Sequence, residues 1–125
     1  DITGFGLSGR ALEMAQGSNM TLTIDSSSLP LLPEAVALCG EGFTCGGTMS
    51  NAKFTGQSIV YKDTMGQDMF GLLNDPQTSG GLLVAVPSDM VDDLMAAVLE
   101  DGALCAALIG EVKEHVTGSP WLEFN

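Results

Sequence analysis

Basic residues are almost missing from this chain. Four Lys and Arg stand against 16 Asp and Glu in 125 residues, a formal net charge of −12. A field of that sign repels phosphate backbones and anionic headgroups, which argues against nucleic acid and against a membrane surface as partners. The acidity itself reads as a solvated surface. Histidine is scarcer still. His115 is the only one, and with no second histidine or placed cysteine near it, it makes no metal site and reads as a surface residue. Cys39, Cys45 and Cys105 are odd in number and form no CxxC pair. That pattern argues against a structural zinc cage and a disulfide framework; reduced thiols and a cytoplasmic location are the expectation. No apolar run reaches membrane-spanning length, and no signal-peptide pattern is present. An initiator Met is missing too: the chain opens at Asp1 on a motif-like stretch and is expected to be a piece of something longer.

What is present is the composition of a packed domain. Hydrophobic residues make up 45%, and the length suits one domain with a real core. Leu7, Ala11, Met14 and Ala15 share one helical face, and the Gly-Ser-Asn at 17–19 ends that helix. MTLTID at 20–25 alternates as a strand does. Pro30 and Pro33 frame a loop before a short helix through Ala35, Val36 and Leu38. The glycine-rich EGFTCGGTMSN at 41–51 has no clear period. Strands are expected at 58–63, 82–86, 107–112 and 121–124, and a short helix at 68–73. Between 87 and 102 a helix is marked by Pro87, by Val91, Leu94, Met95 and Val98 at helical spacing, and by Gly102. The seven methionines read mostly as gap-filling core residues. The sum is α+β: a mixed sheet of about four strands covered by helices.

Two stretches invite chemistry. GFGLSG at 4–9 fits G-x-G-x-x-G, and Asp25 lies about 20 residues on, as in a dinucleotide fingerprint. The strand that should precede Gly4 is not in the chain. On this pattern alone, a dinucleotide-binding module of an oxidoreductase is one alternative. NDPQTSGGLLVAV at 74–86 sets a turn, two hydroxyls and two glycines before an apolar run. Such a loop can curl N–H groups around an anion, or it can be a turn that starts a central strand. A Walker phosphate loop does not fit, because no Lys-Ser or Lys-Thr follows a glycine run.

Taken in order, DITGFGLSGRALEMA at 1–15, GGTMSN at 46–51, NDPQTSGGLLVAV at 74–86 and IGEV at 109–112 resemble the C-terminal domain of the selenophosphate synthetase (selenide, water dikinase) family. That family is related to aminoimidazole ribonucleotide synthetase. The resemblance spans essentially the whole chain, and DxTGFGLxGH and DPQTSGGLL carry most of its specificity. It departs at Arg10, where the family usually has His; a longer cation there could still reach a phosphate. The resemblance implies a three-layer α/β/α domain, partly ferredoxin-like. It implies an activity that makes selenophosphate from selenide, ATP and water, releases AMP and phosphate, and needs magnesium. It places the nucleophilic Cys or selenocysteine, the essential Lys and most ATP contacts in an N-terminal domain absent from this chain. None of the three cysteines here is therefore catalytic. It also implies a homodimeric parent joined mainly through that other domain. On the same resemblance Asp1 is a magnesium ligand, completed by other carboxylates and the nucleotide. Thr3, Gly4 and Gly6, leading into a helix N-terminus, and Thr78, Ser79 and Gly80 are expected near phosphates or the domain interface. Asp1 and Thr3 could otherwise simply cap the first helix.

Overall fold

The computed structural model describes all 125 residues. After five irregular residues the chain enters α1 (Gly6–Ser18), with Ala11, Leu12 and Ala15 buried on its inner face. Asn19 ends the helix in the left-handed conformation (φ 55°), donating its N–H to the carbonyls of Ala15 and Gln16. Asparagine tolerates that conformation better than most side chains. The chain turns at once into β1 (Met20–Ile24). There follow α2 (Ala35–Gly40), α3 (Gly46–Thr55), β2 (Ile59–Tyr61), α4 (Gln67–Leu73), α5 (Val91–Glu100), β3 (Gly110–Glu114) and β4 (Leu122–Phe124).

The strands form one mixed sheet in the order β2-β4-β1-β3. β1 runs antiparallel to β3 and parallel to β4, and β4 runs parallel to β2. This is the expected α+β class with its four-stranded mixed sheet. Register explains the core. Leu22, Leu122 and Ile59 lie side by side across three strands, and Ile24, Phe124 and Tyr61 make the next row. Side chains alternate across a strand, so both rows face the same way. Five of the six are buried, and Tyr61 stacks on Phe124 with ring centroids 5.5 Å apart. Each such burial stabilises by roughly 1.5–3 kcal/mol. α1 lies on β1 and β4, α3 and α4 pack against α1, and α2 packs on α4. Met14, Met65 and Met69 fill in around this core, whereas Met49 and Met90 are exposed.

The structure adds to or departs from the sequence pattern at four places. GGTMSN is helical, as the start of α3, although it shows no apolar period. Its buried positions are Thr48, Asn51 and Thr55, a polar stripe at helical spacing. Residues 82–86 are not a strand: LLVAV pairs with no strand of the sheet, and Leu82 and Val84 stand 79% and 57% exposed. A strand exists only as a hydrogen-bonded pair, so β-branched composition cannot make one alone. β3 begins three residues later than expected, at Gly110, where a Cβ would run into the Thr23 carbonyl oxygen. His115 also differs from a plain surface residue. It is half-buried, hydrogen-bonded through Nδ1 to Thr21 Oγ1 at 3.0 Å and stacked on Trp121.

Residues 82–108 form an excursion from this body. It is pinned at its two ends, where Ile2 N donates to Gly81 O (2.9 Å) and Asp25 N donates to Ile109 O (2.8 Å). α5 forms at the expected spacing but has no buried residue and packs mainly on the turn at Ser88–Met90. The second face of the sheet, which α5 does not cover, carries Thr21, Thr23, Glu111, Lys113 and Glu123. Covering it would strip water from three charged side chains.

Candidate functional site

Three motifs far apart in sequence meet at one place. The Thr3 carbonyl accepts from Gly6 N (2.8 Å) and from Gln77 N (3.2 Å), so the DITG turn also holds the DPQTSGG loop. Ile2 N to Gly81 O adds a second backbone link between the two loops. The third motif supplies the tie. Asn51, nearly buried on α3, donates from Nδ2 to Gly4 O and to Asn74 O, both at 2.9 Å. Thr48, one turn earlier, donates to Asp75 Oδ1 at 3.5 Å. One amide therefore satisfies a carbonyl in each loop. The Asn74 carbonyl, on a fully buried residue, would otherwise be stranded at the cost of an unpaired buried acceptor. Neither Asn51 nor Thr48 stood out in sequence, although both lie in GGTMSN. Asn74 is fully buried beside them, and its Oδ1 has no hydrogen-bond partner.

Two glycines make the approach possible. Gly6 has φ +67°, and a Cβ there would lie 2.8 Å from Asp75 O. A Cβ on Gly80 would run into Ile2 O, although its φ is not positive. Their glycines are thus needed for loop to touch loop. Gly4 and Gly81 differ: nothing lies within 4 Å of a Cβ at either. Packing within this chain leaves their lack of a side chain unexplained.

The remaining expected site residues fall around the junction. Asp1 is exposed, and Thr78 and Ser79 are exposed with no side-chain hydrogen bond. Thr3 Oγ1 accepts from Arg10 Nε (3.1 Å) and Nη2 (2.8 Å). Arg10 also pairs with Glu13 at 2.7 Å and lies over the Phe5 ring. The helix-cap alternative for Asp1 and Thr3 is not realised. Phe5 is the capping residue of α1 and no side chain bonds its first turn. No group of three or more His, Cys, Asp or Glu is arranged to hold a metal. Asp1 offers a single hard, accessible carboxylate, which fits one position in a magnesium shell and no more. Cys39 is unsuited to nucleophilic work, because burial first, then Asp75 and Asp68, pushes its thiol pKa up. Asp25 is already engaged: its carboxylate accepts from Ser27 N, Ser27 Oγ and Ser28 Oγ at 2.7–2.9 Å. It caps the turn at Ser26–Ser28 and is held below the usual carboxylate range, chiefly by the Ser27 hydroxyl.

Comparison with known proteins gives this geometry a context. The family described as AIR synthase related protein, C-terminal domain, matches residues 1–121. The chain is similar to "Selenide, water dikinase 2" of Peptoclostridium acidaminophilum, 43% identical over 112 residues, covering 90% of this chain and 32% of that protein. It is 45% identical over 111 residues to "Selenide, water dikinase" of Porphyromonas gingivalis, covering 88% and 31%. With the protein of that name from Aeromonas salmonicida it shares 40% over 123 residues, covering 98% and 34%. The chain spans about a third of the length of the curated relatives it matches.

Proposed function

The chain belongs to the AIR synthase related protein family, C-terminal domain, and from that premise we propose that it is the C-terminal domain of a selenophosphate-forming phosphotransferase. The reaction would take selenide, ATP and water to selenophosphate, AMP and phosphate in the cytoplasm. The observation that carries the reading is the junction, where DITG, GGTMSN and DPQTSGG are tied together through Asn51. The roles proposed for this chain are those of binding and positioning. Asp1 would place one carboxylate on magnesium bound to the nucleotide's phosphates; the ion neutralises phosphate charge when bound. Arg10 holds the Thr3 hydroxyl, and so the backbone of the DITG turn, in a fixed place. Gly4 and Gly81 keep two stretches of backbone bare, which suits close approach of a phosphate or of an N-terminal domain. That domain would supply the nucleophile, the lysine, the remaining metal carboxylates and the main dimer contact.

The dinucleotide alternative finds less support. The Asp25 carboxylate, which that fingerprint would place on a ribose, is taken by its own turn. The test uses the longer protein in phosphorus NMR with ATP, magnesium and selenide, and calorimetry with ATP–magnesium and with NAD. We expect selenophosphate to form, Asp1→Asn to raise the magnesium requirement, and Gly4→Ala to lower turnover without lowering the melting temperature. NAD binding without ATP turnover would replace this reading by the alternative. Selenophosphate formation by the 125-residue chain alone would overturn the division of roles.

A further inference from the structure

β3 is an edge strand with all five residues exposed, and only one of its sides is paired. Asp25 N bonds Ile109 O, and β1 and β3 pair Thr23 with Glu111 and Thr21 with Lys113. Hydrogen-bonding direction alternates along an antiparallel strand. The odd positions therefore serve β1, and Gly110, Val112 and Glu114 turn their N–H and C=O groups outward. An exposed edge of this kind is a template for another strand.

The sequence of that edge, GEVKE, is complementary to itself. Pairing it antiparallel with a second copy about a two-fold axis at Val112 sets Glu111, which pairs with Lys113 of its own chain at 2.7 Å, also against Lys113 of the second copy, twice over. The outward groups of Val112 then meet those of Val112, and those of Gly110 meet those of Glu114. Continued beyond the strand, the same register sets Leu108 against Val116, which are 60% and 65% exposed in the single chain. Sliding the pairing to the adjacent registers with the same hydrogen-bond phase puts Glu111 on Glu111 or Lys113 on Lys113. Like charges directly opposite are destabilising. We infer that this edge is an interface between two copies of the chain, joined β3 to β3 in the Val112-centred register into one eight-stranded sheet.

Sedimentation velocity over a concentration series tests it, at physiological salt so that the repulsion between two strongly acidic chains is screened. The native chain should dimerise reversibly. Glu111→Lys or Lys113→Glu should each raise the dissociation constant about tenfold, since each turns two attractive pairs into repulsive ones. The double reversal restores both pairs and should restore association. Both residues are exposed, so circular dichroism should be unchanged in every variant. Val112→Pro, which removes an outward N–H, should leave only monomer. A chain that stays monomeric to about 1 mM, single reversals without effect, or a double reversal that fails to recover dimer would each overturn the interface.

Discussion

The body of the molecule and the excursion at 82–108 use apolar residues in opposite ways. In the body, the rows through Leu22 and Ile24 are buried, and the polar side chains Thr48, Asn51 and Asn74 are buried with them. In the excursion, the apolar density is high and no residue is buried; Leu104 is fully exposed. α5 carries the apolar face that a packed helix should have and stands apart. α3 lacks such a face and is tied in by hydrogen bonds. An apolar pattern therefore selects a local conformation, while burial needs a partner at the right place. A polar side chain with two waiting carbonyls can provide one as well as a leucine can.

The largest effect expected in the body comes from its central amide. Asn51→Ala leaves the carbonyls of Gly4 and Asn74 without their donor, and should destabilise by about 3 kcal/mol in urea unfolding. A loss below about 1 kcal/mol would mean that the junction is not part of the stable body. Gly80→Val comes next. Its side chain would strike the Ile2 carbonyl and should cost about 2 kcal/mol by pushing the two loops apart. Native-like stability would show that the loops separate easily, and the contrast with the excursion would shrink.

Substitution in the excursion should do far less. Leu104→Ser is expected to change stability by less than about 0.5 kcal/mol, because the side chain is already in water. In the same sample, amides of α5 should exchange hydrogen much faster than those of α1. Slow exchange in α5 would place that helix in the cooperative unit and remove the distinction. The smallest effect lies at Asp25, whose folded pKa is below its unfolded value because of the Ser27 and Ser28 contacts. Its contribution is present above the unfolded carboxylate pKa and fades as pH falls through the lower folded one. The stability curves of the native chain and of Asp25→Asn should therefore converge in acid. Curves that stay parallel below pH about 3 would deny Asp25 that role.

Local signals were strong enough to be read without the fold wherever one segment contains its own reason. The spacing of Ala11 and Ala15 makes α1 a helix, MTLTID alternates, and the face of α5 is visible in Val91, Leu94, Met95 and Val98. The conjunction of DITG, GGTMSN and DPQTSGG could be seen as a set, but not as a place. Asn51 was invisible as a functional residue because its two partners are backbone carbonyls 47 and 23 positions away. LLVAV reads as a strand on composition, yet pairing is a property of two segments, and here the second is not supplied. The amino-acid sequence by itself determined the fold class, most of the elements and the family resemblance, because propensity and periodicity act within a few residues. Only the tertiary structure decided that two loops share one amide, that Asp25 spends its carboxylate on its own turn, and that β3 keeps a free edge, because each depends on distances that the sequence pattern does not state.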